Sequence, residues 1–496
     1  MRSLVATVYA ALVCALLVAA PVTSRAEDSE ALLKSPDAKF RIEGAKRLAA
    51  ENTKKSVEAI VHALALEQDG FAGREMGRCL KDVTEPEALL AAEKLIANPK
   101  KPGDFFAAVW ALGGMAAGAT ATGDGIVQNA LKKNHASEVS LRACALEAIG
   151  ESARTEALQW LMPLLADIAP GVDKANTFET LSLLCAARKL GLLLPEDKRK
   201  PLLEALILVL DKSSDDRVDY SAAYALGKLT GKPSYTDANW WRNYLLNGET
   251  ASDETGKTIA RPTFFNAVAV GTRVVFVIDI SGSMEWPADM DFRKNPVTGK
   301  GASNGPDYSH VKTKLDLAKV ELIWTLAKLP EDMQFNIIVY ESAHRFLDEK
   351  VEGLVPAKPE NKTRFSNLVR ALVPKGGTNI HGSLLRALRM TKKKPVEGDP
   401  SLDKKAMLEG VDTIFFLTDG SPSWSDDSTE TGEIDPKWGA IGNGRYVKAD
   451  VILADIARVN TFRKVVIHTI GVGKDHDKKM MEDLAAQNHG EYIDRS

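Results

Sequence analysis

The run Val274-Val-Phe-Val-Ile-Asp279-Ile-Ser281-Gly-Ser283-Met284 decides how the rest of the chain is read. Its first five residues are all apolar, with no polar alternation. That suits a central parallel strand covered on both faces better than a half-exposed one. Asp279 then stands where the strand leaves the core. Ser281 and Ser283, two apart in near-extended chain, turn their hydroxyls to one side, and Gly282 lets the backbone come close.

Two later stretches are built to meet this one. Thr413-Ile-Phe-Phe-Leu-Thr-Asp419-Gly420 repeats the design, an apolar run ending in Asp and Gly, so Asp419 is expected at the carboxyl end of a neighbouring strand. Lys375-Gly-Gly-Thr378-Asn-Ile puts a hydroxyl after a Gly pair and before an amphipathic helix carrying Leu384, Leu385 and Leu388. Open α/β sheets bind ligands beyond the carboxyl ends of their strands, where these segments converge. Two carboxylates and three hydroxyls offer a hard divalent cation oxygen donors. No Cys follows Cys185, which excludes a zinc thiolate site here and favours Mg²⁺ or Mn²⁺. An isolated Asp-x-Ser-x-Ser or Asp-Gly is ordinary turn chemistry; three separated matches in order are not.

Asp279-x-Ser281-x-Ser283, Thr378 in Gly-Gly-Thr-Asn and Asp419 in Thr-Asp-Gly together resemble the complete metal-ion-dependent adhesion site of von Willebrand factor A domains. The resemblance covers roughly Thr263 to Ser496. It implies an α/β doubly wound, Rossmann-like domain over 263–496 with a central, mostly parallel sheet. It also implies that Ser281 and Ser283 bind the ion directly, while Thr378, Asp279 and Asp419 do so directly or through water. An open coordination position would take an Asp or Glu carboxylate from a protein partner. The ligand set also admits Ca²⁺.

Further strands are expected at Phe335 to Val339, Val465 to Ile470 and Glu491 to Ile493, with an extra one leading in at Thr263 to Val270. Helices are expected at Leu315 to Leu329 and Asp477 to Gln487. Two long loops flank the motif. Residues 285–310 hold several Pro and Gly clusters, and residues 421–446 hold Asp426, Asp427, Glu430, Glu433 and Asp435. The second matches no EF-hand spacing and reads as a solvated acidic loop.

Catalysis requires a positioned acid, base or nucleophile, and the candidates near the motif are consumed as ion ligands. A metal-dependent hydrolase is the competing class, with Asp289, Asp291 and Glu341 as its additional carboxylates; a purely structural ion is a third reading. His381 follows Thr378 and lacks a nucleophile partner, so it reads as polar packing. Gly471-Val-Gly473-Lys474 lacks the four-residue spacer and the Ser/Thr of a phosphate loop.

Toward the amino terminus the chain changes character. Met1-Arg2, an apolar run from Leu4 to Ala20 and Ser24-Arg25-Ala26 read as a secretory signal peptide over 1–26, so the product is expected to be exported. Residues 27–246 are Ala- and Leu-rich and helical in period. Leu48, Leu80, Leu112, Ile149, Leu190 and Leu226 recur in like contexts, at steps from 32 (Leu48 to Leu80) to 41 (Ile149 to Leu190). Such irregular periods fit an all-α solenoid of helical pairs. The segments Ser137 to Gly150 and Asp215 to Gly227 resemble HEAT repeats, which implies a second protein-binding surface. Trp240 and Trp241, adjacent on a helix, point about 100° apart and cannot share one core stripe, so they are expected to cap the array or pack on the next domain. Residues 247–262 read as a linker.

Lys and Arg number 64 against 67 Asp and Glu, a net charge of −3, which leaves no polycation for nucleic acid. No second run is long enough to span a membrane. Cys79, Cys144 and Cys185 each sit in an apolar helical pattern, as small buried hydrophobes do.

Overall fold

The computed structural model describes residues 28–132, 139–168, 171, 176–248, 261–288, 305–435 and 439–496. The expected signal peptide, most of the linker, and Asp289 and Asp291 lie outside them. The chain divides into two compact units, one of residues 1–135 and 140–157, the other of residues 136–139 and 158–496.

The first unit is helical. Ala38–Glu51 packs on Gly70–Arg78, Gly70–Arg78 on Pro102–Gly118, and Pro102–Gly118 on Leu141–Glu151; Lys54–Leu66 packs on Pro86–Ile96. Alternate helices thus pack on one another along the unit. The recurrent Leu48, Leu80, Leu112 and Ile149 are all buried in these contacts. Close approach is paid in side chains: a Cβ on Gly77 would stand 2.5 Å from the Trp110 carbonyl oxygen. Cys79, Cys144 and Cys185 form no disulfide among the described residues. Burial pushes the Cys79 thiol up to about 11 and raises that of Cys144 further, so both are packing groups.

The described residues of the second unit begin with five α-helices, Leu158–Ile168, Thr177–Leu193, Lys200–Lys212, Asp216–Thr230 and Ala238–Asn247, with the same packing of alternate members. Trp240 and Trp241 are both buried. They point apart, yet one aromatic cluster covers both: Tyr235 and Tyr244 each contact both indoles, which meet edge to face with centroids 4.9 Å apart. Trp240 stacks on Tyr244 with ring centroids 5.7 Å apart, and the Trp241 indole donates to the Tyr235 carbonyl at 2.7 Å.

After these helices come, among the described residues, eleven strands: β1 (Thr263–Phe264), β2 (Ala267–Val268), β3 (Arg273–Asp279), β4 (Gln334–Tyr340), β5 (His344–Phe346), β6 (Val355–Pro356), β7 (Thr413–Thr418), β8 (Thr431–Asp435), β9 (Gly439–Gly442), β10 (Val466–Val472) and β11 (Tyr492–Arg495). The main sheet runs β11-β10-β7-β3-β4-β5, with β6 also on β4. Its four pairings among β11, β10, β7, β3 and β4 are parallel; β5 and β6 lie antiparallel to β4. β3 is central, and its alternating side chains enter separate cores. Val274, Phe276 and Ile278 pack with Phe335, Phe365 and Phe415 on one face; Val275 and Val277 pack with Leu384, Phe416 and Ile456 on the other. Burying each such side chain contributes roughly 1.5–3 kcal/mol, which is why the run has no polar alternation.

The expected strand at Thr263 to Val270 is corrected. Phe265 and Asn266, both at positive φ, turn the chain into a two-stranded hairpin outside the main sheet. The 421–446 segment is likewise more ordered than a solvated loop, since β8 and β9 form a separate antiparallel hairpin within it.

The helices of this unit reach the sheet through hydrogen bonds. The Tyr220 and Tyr224 hydroxyls donate to the carbonyls of His489 and Gly490 at 3.0 and 3.2 Å, and Arg217 donates to the Arg463 carbonyl at 2.5 Å.

Candidate functional site

β3 and β7 are parallel neighbours with Ile278 opposite Leu417, so Asp279 and Asp419 emerge side by side at the carboxyl edge. Both are fully buried. Asp279 accepts from the Ser281 backbone N–H at 2.7 Å and from the Thr418 hydroxyl at 2.7 Å. The Ser283 hydroxyl donates to Asp419 Oδ1 at 2.8 Å, and the Ser281 and Ser283 hydroxyls stand 3.2 Å apart. Both serines do face one side, for a different reason than an extended chain would give. Ser281 is extended, and a 3₁₀ turn over Gly282–Glu285 then folds Ser283 back beneath it.

The Gly-Gly-Thr loop is fastened to this turn by two backbone bonds, Gly282 N–H to the Gly376 carbonyl at 3.0 Å and Lys375 N–H to the Ile280 carbonyl at 2.7 Å. Gly376 holds φ at 72°, the left-handed region that favours glycine. Thr378 is buried, with its N–H on Ser423 Oγ at 2.8 Å, and its own Oγ1 lies 3.9 Å from where a Cβ on Gly420 would stand. All five residues singled out in the sequence are therefore gathered at one edge, four joined by hydrogen bonds and Thr378 beside them.

Burial, with the Asp419 charge beside it, pushes the Asp279 carboxyl up to about 7. Two carboxylates in one dry pocket repel each other, and a cation relieves that cost. Every side chain here offers oxygen, the donor hard divalent ions take. Among the described residues no three His, Cys, Asp or Glu are placed to hold a metal ion. Any ion at this edge therefore depends on hydroxyls as well as carboxylates.

One functional group went unread in the sequence. Lys314, buried at the first position of the helix Lys314–Lys328, places its ammonium 2.9 Å from Asp419 Oδ2. The placement follows from local bonds: Trp286 N–H reaches the Ser283 carbonyl, Lys314 N–H reaches the Trp286 carbonyl, both at 3.0 Å, and the ammonium lies 4.9 Å from the centre of the Trp286 ring. Gly473 leaves room for the stem, since a Cβ there would stand 2.6 Å from Lys314 Cε. A clue existed in the sequence, because a cation in a helix's first turn opposes the macrodipole.

The acidic side chains after Asp419 are mostly solvent-exposed, as expected, and Asp426 also serves as a support. Asp426 accepts from Asn379 Nδ2 at 2.8 Å and lies 3.0 Å from His344 Nε2. Arg386 Nε donates to His344 Nδ1 at 2.6 Å, which assigns the proton to Nε2 and makes Asp426 its acceptor. That bond holds the Asp426 carboxyl down at about 2. Asn379 also caps the helix Ile380–Arg389, so this relay fixes the backbone next to Thr378. His381 is packing, as expected: it is buried, with Nε2 2.9 Å from Asp455 Oδ2. Glu341 lies beside Gly376 and 3.8 Å from Lys375 Nζ, outside the hydrogen-bonded cluster.

Residues 307–494 match the family model of the von Willebrand factor type A domain, a span that includes Thr378 and Asp419 and begins after Ser283. Inter-alpha-trypsin inhibitor heavy chain H4 of Homo sapiens is 28% identical over 218 residues, 44% of this chain and 17% of that protein. Heavy chain H3 of Bos taurus is 25% identical over 217 residues, 44% of this chain and 18% of that one. The chain thus spans less than a fifth of the length of these relatives. A solved von Willebrand factor type A structure from Catenulispora acidiphila is 16% identical, covering 46% of this chain and 40% of that one at a TM-score of 0.29. A von Willebrand factor A-like domain with a mostly parallel central sheet forms the carboxyl-terminal part of this chain, behind a helical amino-terminal part.

Proposed function

We propose that this is an exported, non-enzymatic adhesion or scaffolding protein that holds a divalent cation on Asp279, Ser281, Ser283, Thr378 and Asp419 and through it grips a partner. The observation that carries the reading is the pair of fully buried carboxylates, Asp279 and Asp419, gathered with the hydroxyls of Ser281 and Ser283. A bound Mg²⁺ would supply a positive centre at which an Asp or Glu of a protein partner completes the coordination. The side chains of this protein hold the ion and exclude water from its inner side. The loop after Asp419, tied to the Thr378 segment by the Asp426, His344 and Arg386 relay, presents the surface that chooses the partner. The helical part, read as a HEAT-like solenoid, would offer a second protein-binding face.

The fate of Glu341 supports a binding protein over a hydrolase, since it pairs toward Lys375 rather than into the cluster. Export is proposed from the sequence of residues 1–26. Among the described residues no helix is long and apolar enough to cross a membrane.

The test is calorimetric titration of the EDTA-stripped protein with MgCl₂, beside Asp279→Ala and Ser281→Ala. The expected result is saturable one-site binding that both variants lose. Absence of binding by the wild type would return the cluster to turn chemistry.

A further inference from the structure

The two oxygens of Asp419 face different company. Oδ1 accepts from the Ser283 hydroxyl, on the side of the proposed ion ligands, whereas Oδ2 is taken by the Lys314 ammonium. Lys314 and Asp419 are both buried, so the pair is weakly screened. The lysine is also built in: Trp286 lies against its ammonium, Gly473 clears its stem, and its position opposes the helix dipole.

We infer that Lys314 is a resident counter-charge that makes ion binding at this edge dependent on the partner's carboxylate. The inference rests on the proposed ion site. Its basis is charge balance. Ionised Asp279 and Asp419 carry two negative charges and Lys314 returns one. A divalent ion added to that set leaves one net positive charge in a buried pocket, an unfavourable state until an anion arrives. Without Lys314, the two carboxylates would neutralise the ion on their own. The lysine therefore weakens the hold on the ion alone and turns the loaded site into a receptor for a carboxylate. Ion and partner then bind cooperatively, each raising the other's affinity by the same factor.

The experiment titrates MgCl₂ into EDTA-stripped wild type, Lys314→Met and Lys314→Gln, with and without sodium acetate at constant ionic strength and pH. Acetate is the carboxylate probe, and thermal melts establish that each variant is folded. Wild type is expected to bind Mg²⁺ several-fold more tightly with acetate present. Both variants are expected to bind Mg²⁺ alone about tenfold more tightly than wild type and to gain nothing from acetate. Variants that bind Mg²⁺ no more tightly than wild type, or that keep the acetate effect, would overturn the role of Lys314 and leave the ion site standing. No saturable binding by any of the three proteins would overturn the site itself and this inference with it.

Discussion

Replacing Asp279 by Asn should make the ion-free protein more stable at pH 8 and leave it unchanged at pH 4. Burial and the neighbouring Asp419 charge push the Asp279 carboxyl from its ordinary 3.8 to about 7 in the folded state. Between those values the folded protein holds a proton that the unfolded chain has released, so stability falls as pH rises through this window. The gap is roughly three pKa units, which at 1.36 kcal/mol each is at most ~4 kcal/mol, fully expressed above the folded value. Asn is nearly isosteric. It keeps an oxygen for the Ser281 N–H, and its amide can donate to the Thr418 hydroxyl, which now donates to Asp279. Urea denaturation in EDTA at pH 4, 6 and 8 measures the difference. A variant equally displaced from wild type at all three pH values would refute the argument, because the effect would then be packing rather than ionisation. Saturating MgCl₂ should reverse the order at pH 8, where the carboxylate gains its ion and Asn does not.

Gly473→Ala should lower stability by about 1–2 kcal/mol, because φ is 72° there and the added methyl meets Lys314 Cε; chemical denaturation reads it, and an unchanged midpoint would show that Lys314 moves aside freely. Asp412→Ala should cost about 3–5 kcal/mol, since its buried carboxylate accepts from Arg273 Nε and Nη2 at 3.0 and 2.6 Å and from the Thr272 and Arg273 amides. A loss under 1 kcal/mol in urea titration would show that water replaces those bonds.

What the sequence made legible follows from how locally each element is determined. The β3 and β7 runs were readable because Val274–Ile278 and Ile414–Leu417 are wholly apolar, as suits strands buried on both faces; β4 and β10 were readable from their apolar majority, although they also bury Asn336, His468 and Thr469. The five oxygen-bearing side chains were readable because their spacing is tied to strand ends. Lys314 was not, because its reach to Asp419 depends on a turn through Trp286 and on space left by Gly473, more than a hundred residues away in sequence. The β8–β9 hairpin was also missed: its strands expose most of their side chains, so they carry no alternation to read. The Trp240–Trp241 pair shares one aromatic cluster with Tyr235 and Tyr244, which a single-stripe view of a helix does not anticipate.

The central position of β3 has a consequence in time. Val274 pairs with Phe335 on one side and with Thr413 on the other, the latter 139 residues further along (413 − 274). At ribosomal rates of roughly 5–20 residues per second, the second partner follows the first strand by about 7–28 s. For that interval the β7 edge of Val-Val-Phe-Val-Ile stays open even after β4 emerges to pair with the other, and an uncharged β-forming edge is the kind that associates with its like. The stretch that organises the finished domain is thus the one a nascent chain must be protected from, and a chaperone that shields it until β7 emerges would govern how much protein folds.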